Sequence, residues 1–210
     1  MKRTLYTLVS ALALACVLWA GTYSQAVSVD ANDGIDLDAA WYPANLAIGK
    51  YDATIPITTA LRFTSVTVPK SATISSATIT LQASGLSGTI TNVHSVFYGE
   101  ASDNPAEFGS GRLPSSVTPT TASATWNPTA WVTDTTYALT VTTIVQELVN
   151  RALWASGNAM AFVADGSTSS STSYASAYES SGGGVHTFAT LAITYVDAAG
   201  RRKNVQVRIE

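Results

Sequence analysis

The stretch ALRFTSVTVPKSATISSATITLQA (Ala60 to Ala83) sets the tightest limit on what this chain can fold into. Its apolar residues recur in steps of two: Leu61 and Phe63, Val66 and Val68, then Ile79, Leu81 and Ala83, with Pro69 as the break. A period of two places one face of a strand against a core and the other in water. The same texture returns in GTITNVHSVFYGE, TTASATW, TYALTV, AMAFVA, HTFATLAITYV and KNVQVRI, separated by Gly, Pro, Asn, Asp and Ser. Many short strands of this kind predict an all-β fold, a two-sheet jelly-roll-like sandwich. Residues 101–117 (ASDNPAEFGSGRLPSSV) read as a surface loop, as do Ser167 to Ser173 and the Gly182-Gly183-Gly184 run.

One segment breaks the rule. Val141, Ile144, Val145, Leu148, Val149 and Ala152 follow helical spacing, which predicts a single amphipathic helix over about 141–153. Thr143 and Gln146 have capping-box spacing, and Gly157-Asn158 marks the exit. In a sandwich such a helix crosses between sheets and caps the core with Ile144, Val145, Leu148 and Val149, while Trp154 seals the corner and Trp126 packs inside. Glu147 is expected to face solvent or pair with Arg151, four residues on.

The start of the chain has a different character. Met1-Lys2-Arg3 is followed by an apolar run from Leu5 to Ala20 and the small-x-small triplet Ser24-Gln25-Ala26. This is the layout of a secretory signal peptide cut before Val27, and the run is short for a membrane span of roughly 20 residues. Residues 1–26 are therefore expected to be a signal peptide or hydrophobic N-terminal segment, and 27–210 a single β-sandwich domain. Cys16, the only cysteine, lies in the leader, which leaves no thiol chemistry to the remainder. Residues 27–200 carry five basic and thirteen acidic side chains, a balance of −8, which argues against nucleic-acid binding. The last ten residues, RRKNVQVRIE, carry four bases and one acid. There Val205, Val207 and Ile209 alternate with polar residues, predicting an added C-terminal strand (about 203–209) that pairs back as a hairpin or adds to a neighbouring subunit.

Three stretches together resemble the secreted β-sandwich modules called DNRLRE-like domains, relatives of carbohydrate-binding jelly rolls. They are ALRFTSVTVPKSATISSATITLQA, TTASATWNPTAWV and VTTIVQELVNRALWASGNAMAFV, in that order, spanning Ala60 to Val163. The resemblance implies a sandwich, an exported location and carbohydrate as the ligand class. Similar modules occur in phage virion proteins, and no catalytic motif defines the family.

Catalytic constellations are sparse. His94 and His186 stand apart from any companion at metal-ligand spacing, and no serine sits in a Gly-x-Ser-x-Gly elbow. Glu100, Asp103 and Glu107 cluster in the long loop and read as solvated charge rather than an acid–base pair. The sharpest local feature is VDANDGIDLD, where Asp30, Asp33, Asp36 and Asp38 supply hard oxygen donors suited to a structural Ca²⁺. Aromatic residues outside the expected core form the other candidate set. Trp41, Tyr42, Trp131, Tyr174 and Tyr178 can offer an apolar face with a polar tip to a ligand.

These features predict a non-catalytic extracellular or cell-surface module that binds carbohydrate or another surface component. The alternative is a self-assembling structural protein, either a filament subunit or a virion decoration or fibre protein, with self-association through the C-terminal strand.

Overall fold

A computed structural model describes residues 19–43, 45–180 and 185–197. The first 18 residues of the expected leader and the expected C-terminal strand (203–209) lie outside the described residues. The chain runs through β1 (Trp19–Ala26), β2 (Asp33–Leu37), β3 (Ala40–Tyr42), β4 (Leu46–Lys50), β5 (Thr58–Phe63), β6 (Thr73–Ser87) and β7 (Ser95–Glu100). After a long loop come β8 (Pro119–Trp126), β9 (Thr136–Thr140), α1 (Thr142–Val149), β10 (Met160–Asp165), β11 (Ser173–Ala177) and β12 (Thr190–Asp197).

Two antiparallel sheets pack face to face. The first has the order β1-β12-β6-β11-β4, with β9 pairing the other side of β6; the second has the order β3-β2-β5-β10-β7-β8. The architecture is the all-β two-sheet sandwich that the alternating runs predict. Inward residues of both sheets build one core around Leu61, Phe63, Ile79, Phe97, Phe162 and Leu191. Phe63 meets Phe162 edge-on at 6.0 Å, the offset geometry aromatic rings prefer.

The helix sits where its apolar stripe predicts. Ile144, Val145, Leu148 and Val149 are all buried. At Gly99 on β7 a Cβ would come within 2.8 Å of Ile144 and Leu148, so the strand there approaches the helix closely. Its ends differ from the sequence reading, because α1 stops at Val149 and Leu153 is exposed. No side-chain cap forms at its start. Gln146 instead accepts from the Ile74 amide at 2.9 Å and donates to the Ala72 carbonyl at 3.0 Å, tying the helix to the start of β6. Glu147 is half-buried and does not pair with Arg151. Its carboxylate accepts the backbone amides of Thr121 and Ala122 at 2.9 and 2.7 Å, while Arg151 pairs with Asp103 at 3.1 Å. Trp154 is buried and donates to the Val68 carbonyl.

The loop after β7 is also more ordered than its composition implies. Phe108 is buried against Ala60, Ala161 and Val163 on the outer face of the second sheet. Glu100 forms an ion pair with Arg112, and Arg62 donates to the Pro105 carbonyl at 2.9 Å. Solvated loop charge is therefore the wrong description of Glu100 and Asp103, which pair with arginines that pin the loop down.

β1 places residues 19–26, the last part of the expected leader, inside the sheet. It pairs with β12 from Trp19↔Asp197 to Ala26↔Thr190. Tyr23 reaches the core, where burial pushes its phenol up to about 12.

Candidate functional site

Strand parity decides which aromatic residues converge. Trp41 and Tyr42 are adjacent on β3, so they project to opposite faces of the second sheet. Trp41 goes outward, stacks on Phe108 at 5.9 Å, and lies over Gly34, where a Cβ would come 2.6 Å from its ring. It belongs to the outer cluster. Tyr42 goes the other way, into a cleft of about 560 Å³ between the β2–β3 edge of one sheet and the β4–β11 edge of the other.

Four tyrosines line this cleft: Tyr42, Tyr51, Tyr174 and Tyr178. Its floor is apolar, built on Ile35, Ala47 and Ile57, which form a small buried cluster of their own. Asn45, Ser84, Ser176 and Glu179 add polar groups to the lining. Tyr51 and Tyr174 stack at 6.1 Å with 24° between their planes, and Tyr51 is half exposed. Tyr174 and Ser176 alternate on β11, so both point into the cleft, and Tyr178 continues the same phase just past the strand end.

Tyr178 is held rigidly. Its ring stacks on His186 at 3.6 Å and 8°, and its hydroxyl donates to Asp134 at 2.9 Å. That hydrogen bond is the first cause holding the phenol above its ordinary value, with desolvation second. The segment is anchored again by Asp33 on β2, which is fully buried. The Ser180 hydroxyl and amide donate to its two oxygens at 2.6 and 2.9 Å. Burial pushes the Asp33 carboxyl up to about 6; the Ser180 bonds pull it down, and Glu179 and Asp30 add a smaller upward push.

Trp131 is a correction to the aromatic set. It is only 7% exposed, donates to the Ser176 carbonyl at 2.9 Å, and packs between Tyr137 and Trp126 at 4.7 and 5.3 Å. A loop-like sequence context concealed a core residue. Tyr51 is the opposite case: nothing in the sequence separates it from other loop tyrosines, and only the fold brings it onto Tyr174.

The four aspartates proposed for Ca²⁺ do not share a point in space. Asp33 and Asp36 stand three apart on β2, hence on opposite faces. Asp33 holds Ser180 inside, and Asp36 accepts from Ser115 on the outer side. Asp30 and Asp38 are exposed, Asp38 in a turn with φ 52°. Among the described residues no three acidic, histidine or cysteine side chains converge as a metal site. The residues as placed do not fit a calcium ion. His94 contacts Asn127 through Nδ1 at 2.8 Å, remote from the cleft lining.

No protein-family model matches the chain, and no curated protein matches it.

Proposed function

We propose that this chain is a non-catalytic, exported binding module whose tyrosine-lined cleft takes a carbohydrate. The carrying observation is the convergence of Tyr42, Tyr51, Tyr174 and Tyr178 on one apolar-floored cleft with polar groups at its wall. Tyrosine rings give a sugar ring an apolar stacking face, and their hydroxyls meet its polar edge. The Asp134–Tyr178–His186 contacts and the Asp33–Ser180 bonds fix one wall before any ligand arrives. Pre-ordering of this kind lowers the entropic cost of association. The described lining offers one carboxylate, Glu179, whereas glycoside hydrolysis works through an opposed pair. Carbohydrate is also the ligand class that the likeness to DNRLRE-like modules implies.

Affinity electrophoresis against a panel of soluble polysaccharides, followed by calorimetry on any that retard the protein, tests this reading. Tyr51→Ala and Tyr174→Ala should each weaken binding about threefold to tenfold, the size of one aromatic contact. The thermal unfolding of Tyr51→Ala should stay close to wild type, because Tyr51 is half exposed. Binding that survives both substitutions unchanged would place the ligand elsewhere.

A further inference from the structure

Charge is distributed unevenly around the tyrosine-lined cleft. Residues 27–200 hold thirteen acids and five bases, and none of the five bases lines the cleft. Arg62, Arg112 and Arg151 pair with Glu107, Glu100 and Asp103 along the loop after β7. Lys70 donates to the Ala152 carbonyl beyond the helix. We propose, resting on the reading of this cleft as a carbohydrate site, that it selects amino sugars: hexose rings that carry a free, protonated amine in place of a hydroxyl or an acetamide.

Carboxylates, by contrast, gather along one wall. Glu179 lines the cleft next to Tyr178. Asp33, fully buried on β2, holds the hydroxyl and amide of Ser180, the following residue. The two carboxylates feel each other, since the Glu179 charge makes ionisation of Asp33 more costly. Asp134 accepts the Tyr178 hydroxyl at 2.9 Å. Donation to a carboxylate polarises the phenol and enriches the negative face of its ring. A cation beside this wall relieves the repulsion between Glu179 and Asp33, whereas a uronic acid would add to it.

The rings decide what kind of cation suits the cleft. A hard metal ion is a poor match, because no three acidic, histidine or cysteine side chains converge among the described residues. Tyr51 and Tyr174 stack at 6.1 Å, and Tyr42 and Tyr178 complete the aromatic lining. An ammonium within about 6 Å of a tyrosine centroid is attracted by the quadrupole of the ring. The apolar face of a pyranose stacks on the same kind of surface. An amino sugar carries both features on one rigid ring, so stacking and charge pairing are met by a single ligand. Acetylation of the amine removes the charge and keeps the sugar, which makes the acetylated form the discriminating comparison.

Calorimetry on the full chain with three β-1,4-linked tetrasaccharides tests the selection: glucosamine, N-acetylglucosamine and glucose. The free-amine oligomer should bind about tenfold tighter than the other two, the weight of one cation–π contact and one screened carboxylate. Glu179→Gln should cut that preference to about threefold or less and leave affinity for the glucose oligomer unchanged. Tyr51→Ala should weaken all three. Spermine, a polyamine without sugar rings, should not displace the free-amine oligomer from wild type at equal concentration, a test that holds even where Glu179→Gln does not fold. Equal affinity for the three oligomers, or a preference for the acetylated one, would overturn the selection and leave the carbohydrate reading standing. A preference undiminished in Glu179→Gln, or displacement by spermine, would overturn it as diffuse attraction to an acidic chain. Absence of binding to any of the three would overturn it too, while the polysaccharide panel decides separately whether the cleft takes sugar.

Discussion

Asp33 is displaced well away from the chemistry of a free side chain, as Tyr23 is. Its carboxyl moves from 3.8 to about 6 because it is enclosed, with two Ser180 donors only partly compensating. The folded state therefore holds this proton more tightly than the unfolded chain. The stability that follows is fully present below pH 3.8 and is lost as pH rises through 6. At pH 7 the ionised group costs on the order of 2–3 kcal/mol. Asparagine keeps both bonds, its oxygen accepting the Ser180 amide and its NH₂ donating to the Ser180 hydroxyl. Asp33→Asn should accordingly be more stable than wild type at pH 7 by roughly 1–3 kcal/mol, with the gap closing toward pH 4. Urea unfolding at the two pH values measures this, and a gap independent of pH would refute it. The same placement of Asp33 and Asp36 on opposite faces of β2 predicts equal melting temperatures in EDTA and in millimolar calcium. A rise of several degrees with calcium, by mass action, would mean that residues 30–38 can rearrange around an ion.

At the scale of elements, α1 is held by what it buries. Leu148 is 1% exposed, so Leu148→Ala should cost about 2–5 kcal/mol in chemical denaturation, as buried leucines do. A loss well under 1 kcal/mol would mean the stripe is not packed. The helix face was readable because a 3.6-residue period survives in the sequence. The partners of its polar side chains were not, because Gln146 and Glu147 bond residues 72–74 and 121–122, far away in the chain. Local spacing assigned them to a cap and an i,i+4 pair, and tertiary bonds took both. The loop after β7 misled for a similar reason. Its Pro, Gly and Ser content is a true mark of irregular backbone, but it says nothing of whether Phe108 finds a hydrophobic seat.

For the whole molecule, alternation made the sandwich legible, since each run carries its own buried face. It could not give the partners of each strand, and the cleft depends on those partners. Tyr42 and Tyr174 come from different sheets, and Tyr51 becomes part of a site only where β4 lies beside β11. β1 stayed hidden because a strongly apolar N-terminal run in the sequence leads straight into a strand with one large inward side chain. The pairing of β1 with β12 has a kinetic meaning as well. β6, the centre of the first sheet, finds its partners β9, β11 and β12 only later in the chain, and β1 waits for the last of them. Topologies ruled by such distant pairings fold in roughly milliseconds to seconds, whereas helical bundles close in microseconds to milliseconds. A ribosome making this chain from its N-terminus therefore leaves the first sheet unfinished until β12 has emerged.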